Sequence, residues 1–427
     1  MSRKAFIKGT LILTIGGAIT RLIGFFLRMY LAGKIGFTEL GIYQLVLPVC
    51  GLCYAVTISG YEIAVSRYVA YYKNRHNPAK AKTITFFCFI SSLALCITLS
   101  LILNFISPLA AGKIFHNPRC ERLIRIMLWS CPLSCIHCIF SSYCIGNEKT
   151  ALPTLSQICE QLVRFICIYI ISIWINDARL GAYGLVAGEI GASIFCIAAY
   201  LRKKQSHTPA RLSRRQCIKI TKMAFTISTN RVFLHILQCV EASLVPMMLI
   251  THGLTHDEAL YTYGIITGMA VPVILVGSTL AGSVAQMLLP SIAKIQKNKE
   301  QLTKNANLSF LFSLGFGFIC IIGLFAISKV MGTYIFHENM VSKYIRLMSF
   351  SCPFMYIGTT YKSILHALGL TGKVLANSML SELIVIAAIV FVMPHFGIDA
   401  YIISFIIAQC INAFLCIAGF KSYIKKL

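Results

Sequence analysis

Residues 9–32 read GTLILTIGGAITRLIGFFLRMYLA, an apolar run that carries two arginines, Arg21 and Arg28, and no acid. At ~1.5 Å per residue a helix of this length covers the ~30 Å hydrocarbon core of a bilayer with some tilt, and Arg21 falls near mid-depth. An arginine at the centre of a spanning helix costs ~2.5 to 3.5 kcal/mol on insertion scales, so such residues face a bundle interior or a wet cavity and mark a pathway. The two arginines lie seven residues apart, nearly two helical turns, and share one face with Gly17 and Gly24 beside them. Arg28 is near enough to the far end for its stem to reach the headgroups instead. Arg21 has no such exit, and its alternative is a buried pair with an acid of another helix, Glu62 or Glu241.

Composition places this run in a polytopic membrane protein. Of 427 residues 57% are hydrophobic and 12% charged, and the mean hydropathy is +0.76. A formal net charge of +25 would suggest nucleic acid as the partner of a soluble chain. Here the basic residues gather between apolar runs, so the positive-inside bias accounts for them, and no nucleic-acid module is present. The eighteen cysteines lie mostly inside apolar runs and read as small hydrophobes. The spacings Cys50/Cys53 and Cys135/Cys138 fall inside candidate spans, and His137 has no local partners that would complete a metal site. No metal or cofactor is expected. The first apolar segment is too long for a signal peptide and is expected to stay as an anchor.

Twelve candidate spans follow one another at about 9–32, 40–70, 83–107, 122–145, 152–176, 180–201, 221–250, 260–290, 305–328, 343–366, 374–394 and 398–420. Lysines and arginines concentrate in alternate connections: Arg3, Lys4 and Lys8; Lys73, Arg75, Lys80 and Lys82; the stretch from Arg202 to Arg215; Lys297, Lys299 and Lys304; Lys421, Lys425 and Lys426. That side is expected to be the cytoplasm, which puts both termini inside. The basic interval 202–219 separates an N-terminal six-helix lobe, 1–201, from a C-terminal one, 220–427. An anionic-lipid-binding role for the interval is an alternative to topology alone.

An internal repeat supports the two-lobe division. IFHNPRCERLIRIMLWSCP at 114–132 matches IFHENMVSKYIRLMSFSCP at 335–353 at one constant offset, and Pro48-Val49 and Lys73-Asn74 pair with Pro272-Val273 and Lys297-Asn298 upstream. Six spans per half make these parallel repeats, with substrate expected between lobes near the midplane. Pro48, Pro132, Pro272 and Pro353 are expected to kink spans at matching places.

Polar residues share helix faces at two further places. Gln157, Glu160, Gln161 and Arg164 form a stripe in the fifth span, with Glu160 and Arg164 spaced to pair. Ser228, Arg231, His235 and Gln238 share a face of the seventh span, with Glu241 at its edge. Arg21, Arg28, Arg231, Arg164 and Glu241 are therefore the candidate substrate-binding residues. Glu62, Glu189, Lys362 and Glu382 also fall in or at the edges of spans, and Arg67 sits by the inner boundary.

ITRLIGFFLRMYLAGKIG at 19–36, GIYQLVLPV at 41–49 and EASLVP at 241–246 resemble the stage V sporulation protein B branch of the multidrug, oligosaccharidyl-lipid and polysaccharide exporter superfamily, related to the lipid II flippases. The resemblance implies an all-α membrane protein of two homologous six-helix bundles around a central cavity, alternating access, and export of an undecaprenyl-pyrophosphate-linked glycan precursor from the bacterial cytoplasmic membrane. It assigns phosphate-facing roles to Arg21 and Arg28. The lipid-carrier branches usually carry two further C-terminal helices, associated with a groove for the lipid tail, which the twelve spans here do not include. Expected partners are the anionic lipid-linked glycan, membrane lipids and a coupling ion. The alternative from the same superfamily is an ion-coupled antiporter of cationic drugs, which would use cavity acids, Glu62, Glu160, Glu189 and Glu241. No nucleophile elbow or phosphate-binding glycine loop suggests an enzyme.

Overall fold

The computed structural model describes residues 3–202, 211–278, 282 and 298–427, and every regular element among them is helical. Among the described residues ten helices are long and apolar enough to cross a membrane. The first arginine-bearing run lies in α1 (Arg3–Thr57), a 55-residue helix whose backbone breaks at Gly36, φ 77° and ψ 169°. This left-handed position is open to glycine at little cost. Then come α2 (Ser59–Asn74), α3 (Pro78–Leu109), α4 (Arg119–Leu128), α5 (Ser130–Gly146), α6 (Ala151–Ile171), α7 (Arg179–Leu201), α8 (Arg214–Thr251) and α9 (His256–Ile265). Five more helices close the chain: Lys299–Lys329, Asn339–Ser349, Cys352–Ala367, Thr371–Phe391 and Ile398–Lys426, with a single turn, Met393–Phe396, before the last. The expected spans at 9–32 and 40–70 run together in α1 as far as Thr57, with α2 too short to count alone, and the expected span at 343–366 is divided around Phe350 into two pieces too short to count. Twelve spans thus stand as the expectation beside ten counted helices.

The chain forms two compact units, one of residues 1–35 and 42–239, the other of 36–41 and 240–427. The division falls inside α8. Of the expected linker, 203–210 lie outside the described residues, and 214–219 already form the first turns of α8. The expected span 260–290 is described only as far as Ser278, with Gly282 beyond it.

The repeat is visible as matched local structure in the two units. In each, a long helix ends in a π-turn, Ala110–Ile114 and Val330–Ile335, followed by a histidine at positive φ, His116 (49°) and His337 (50°). Beyond it the Arg125 guanidinium donates to Ser107 Oγ at 3.0 Å, and Arg346 donates to Ser328 Oγ at 2.9 Å. Both arginines thereby pin the short helix that follows to the end of the long helix before the π-turn, a fixed re-entry for the chain. The caps correct one expected equivalence. Asn77 accepts from the Lys80 amide and Asn298 from the Gln301 amide, each starting a long helix, so Asn298 answers to Asn77 rather than to Asn74. A second correction concerns proline. Pro132 and Pro353 sit in the first turns of α5 and of Cys352–Ala367, where the amide they lack would have no helical partner. They start helices after a break and do not kink them.

Without water to drive helices together in a membrane, close backbone approach through small residues holds such bundles. The first unit centres on Ile58, Val65, Ile84, Cys88, Cys135 and Ala224, the second on Ala306, Ile357, Ile364, Leu365 and Cys416. Large apolar side chains point outward instead, Phe105 84% exposed and Phe391 75%, as a lipid-facing surface requires. At Gly60 an added Cβ would lie 2.0 Å from the backbone oxygen of Ala224, so α2 and α8 must part to admit it. Gly60→Ala is therefore expected to cost about 1 to 3 kcal/mol, read as a lowered Tm in detergent. Gly17→Ala, which meets nothing within 4 Å, should leave Tm unchanged.

Candidate functional site

The arginines of the first span are positioned by the packing of α1 on α6. Gly24 brings α1 close to Gln161, whose Oε1 lies 3.4 Å from where a Cβ would be. One and a half turns on, the Tyr30 ring packs on Phe165 and Tyr169, both 5.9 Å between centroids, and its hydroxyl meets Ser172 Oγ at 2.9 Å. Between these anchors Arg28 is half-buried and within electrostatic reach of Arg164 and of the Tyr43 hydroxyl. Arg164 donates to Glu160 Oε1 at 2.5 Å, and Gln161 Nε2 donates to the same oxygen at 3.3 Å. Glu160 is thus committed to Arg164. Arg28 is within electrostatic reach of this second guanidinium and, among the described residues, has no acid at ion-pair distance. Arg21, by contrast, is exposed on α1 and makes its own contacts.

The α8 residues divide between units. Arg231 is half-buried one turn from His235, which lies within reach of Gln238 and against Gly51 of α1, where a Cβ would sit 2.8 Å from Nδ1. Glu241 belongs to the second unit. It accepts from the Tyr401 hydroxyl at 2.9 Å and lies within hydrogen-bond reach of Glu382, which in turn is within electrostatic reach of Lys362. Of the five candidate binding residues, then, Arg28 and Arg164 come together, Arg21 and Arg231 stand in the same unit, and Glu241 joins a separate cluster. Glu62 accepts from Tyr54 at 2.5 Å. Tyr43 and Tyr401 were not foreseen, because a tyrosine in an apolar run carries no periodic signal that separates a hydroxyl with a partner from ordinary packing.

Three side chains from three helices also converge below Arg164. His137 Nε2 of α5 lies 3.2 Å from Glu189 Oε2 of α7, and with Glu160 they offer three ligand atoms within 4.8 Å of one another. An imidazole with two carboxylates is a donor set that a first-row divalent ion accepts. Here the Arg164 guanidinium already occupies Glu160 and sets a positive charge beside the group, which opposes a second cation. Outside the helices, Asp177 is held below the usual carboxylate range by the hydrogen bond and charge of Arg179.

Comparison with known proteins agrees with this architecture. The sequence is 26% identical over 404 residues to stage V sporulation protein B of Bacillus subtilis (strain 168), an alignment covering 90% of this chain and 77% of the relative. The fold is similar to an inward-facing multidrug resistance MATE family transporter of the MOP superfamily, with TM-score 0.75 and 13% identity over 96% of this chain and 98% of that one. It is equally similar to the lipid II flippase MurJ in its inward closed conformation, with TM-score 0.74 and 15% identity over 96% and 87%. These two likenesses establish the fold. Residues 6–296 match the family described as polysaccharide biosynthesis protein, and the chain belongs to that family.

Proposed function

We propose that this protein is a membrane transporter that exports an undecaprenyl-pyrophosphate-linked glycan precursor, lipid II-like, across the bacterial cytoplasmic membrane by alternating access, with both termini cytoplasmic. The observation that carries the reading is Arg28: a half-buried guanidinium in an apolar span, set beside a second arginine and no acid of its own. Two like charges in a low-dielectric layer repel, and an anion placed between them removes that cost. A pyrophosphate suits the pair because each guanidinium can engage two phosphate oxygens with parallel charge-assisted hydrogen bonds. Arg21 and Arg231, in the same unit, extend the basic path. The similarity to MurJ, a lipid II flippase by name, and to stage V sporulation protein B supports this substrate class.

A second reading, ion-coupled export of cationic compounds, is favoured by the Glu241–Glu382 cluster with Tyr401 and by the likeness to MATE transporters. Paired carboxyls in a membrane layer hold cations or protons, not phosphates. Expression in a bacterium depleted of its own lipid II flippase separates the two. Export predicts that growth returns and that precursor stops accumulating on the cytoplasmic leaflet. Continued accumulation with the protein folded in the membrane, together with raised resistance to cationic dyes, would select the antiporter instead.

A further inference from the structure

A basic pocket lies in the first unit, apart from Arg28 and Arg164. The C-terminal turns of α2 and the first turns of α8 enclose a pocket of about 390 Å³ whose lining includes Arg67, Tyr68, Tyr71 and Tyr72 from α2 and Gln216 and Lys219 from α8. That volume falls at the lower end of the ~300 to 1,000 Å³ range of small-ligand sites. No acid lines it. The two cations stand on different helices, both exposed, so they present charge from opposite walls instead of cancelling against neighbours. Further positive charge backs the aromatic wall: the Arg75 guanidinium lies 4.5 Å from the Tyr71 ring centroid and the Lys80 ammonium 5.8 Å from that of Tyr72. The nearby acid Glu148 is engaged by Lys73 at 3.2 Å. Gln216 and Lys219 sit in the first turns of α8, where the helix dipole favours negative charge; Gln216 Oε1 accepts from the Ser213 amide at 3.1 Å, which leaves its Nε2 to donate. The remaining wall is apolar, Ile84, Ile220 and Met223.

We infer that this pocket binds the phosphate of an anionic membrane lipid, with Arg67 and Lys219 as the charge clamp, tyrosine hydroxyls and Gln216 as hydrogen-bond partners, and the apolar wall receiving the start of the acyl chains. Basic pockets between helices at the membrane surface recognise phospholipid headgroups in this way, each basic residue contributing about as much as a tenfold or smaller change in affinity. The shared chemistry is a phosphate ester, which free phosphate also offers.

Thermal unfolding of the full chain in mixed micelles tests the site. Phosphatidylglycerol should stabilise the wild-type protein saturably, while phosphatidylcholine should not. In the double variant Arg67→Gln/Lys219→Gln the midpoint lipid concentration should rise at least about tenfold, consistent with loss of two surface cations. Lys222→Gln, one turn along α8 and outside the pocket, should respond as wild type. If the double variant fails to fold, Lys219→Gln alone, at an exposed position, should still raise the midpoint severalfold. Equal stabilisation by inorganic phosphate, lost in the same variants, would support the clamp and assign it to soluble phosphate. A response unchanged in both pocket variants, or lost as fully in Lys222→Gln, would overturn the proposal in favour of general surface attraction.

Discussion

Arg28→Ala is expected to abolish export while leaving folded protein in the membrane at normal or raised stability. The side chain is half-buried, close to Arg164 and Tyr43, with no acid at ion-pair distance among the described residues. Removing it strands no counter-charge, relieves repulsion with Arg164, and removes a desolvation cost that is at most the ~2.5 to 3.5 kcal/mol of an arginine in the middle of a spanning helix. The loss on the transport side follows because Arg164 alone, its charge partly offset by Glu160 at 2.5 Å, offers the pyrophosphate one guanidinium where the pair offers two. Arg28→Lys should recover only part of the activity. Lysine keeps the charge but lacks the planar fork that grips two phosphate oxygens together. A transport assay beside a thermal-shift series decides. Full export by a well-folded Arg28→Ala would sink the pyrophosphate clamp, and a strongly destabilised one would mean that Arg28 holds the bundle together instead.

Arg28 and not Arg21 is the enclosed guanidinium of α1, a difference that position along the helix does not carry. Depth along a straight helix singles out Arg21, the residue furthest from either interface. What the fold adds is lateral: α6 covers the Gly24–Tyr30 side of α1 and encloses Arg28, while Arg21 is exposed. Helical periodicity states which residues share a face, but not which neighbour that face meets. The Glu160–Arg164 pair was legible because it lies within one helix at a spacing of four. The convergence of His137, Glu160 and Glu189 joins three consecutive helices, and that of Glu241, Glu382 and Tyr401 joins helices far apart in sequence, and in both cases the contact is between helices, where the periodicity of any one of them holds no trace of it. The repeat was legible in its Ile-Phe-His and Ser-Cys-Pro stretches because the structure they encode is demanding: a π-turn, a histidine at positive φ and an arginine that clamps a serine, twice. A break between the first two spans was expected in 33–39, but not that it would be confined to Gly36 with the chain helical on both sides of it.

Glu160→Ala should destabilise the protein by about 3 to 5 kcal/mol, because it leaves the Arg164 guanidinium buried without its partner. Both side chains are nearly enclosed, Arg164 14% and Glu160 13% exposed. The enclosure comes from α7. A Cβ at Gly188 would lie 3.0 Å from Arg164 Nε and 3.0 Å from the Glu160 backbone oxygen, so the glycine lets α7 lie directly over the pair and shut water out. Arg164→Ala should cost a similar amount, since Glu160 would keep only Gln161 at 3.3 Å and would stand beside Glu189. The two losses are not additive. Glu160→Met/Arg164→Leu together remove both charges and keep most of the volume, and replacing a buried ion pair in this way is commonly neutral or stabilising. A thermodynamic cycle of the two single variants and the double therefore yields a large coupling energy; single variants that each cost under about 1 kcal/mol would show the pair to be solvated and the enclosure by α7 to be energetically idle. Export measured on the double variant then separates structure from function. With stability restored and no counter-charge stranded, lost export assigns Arg164 to the substrate, whereas full export confines the pair to holding α6 and leaves Arg28 to bind pyrophosphate without it.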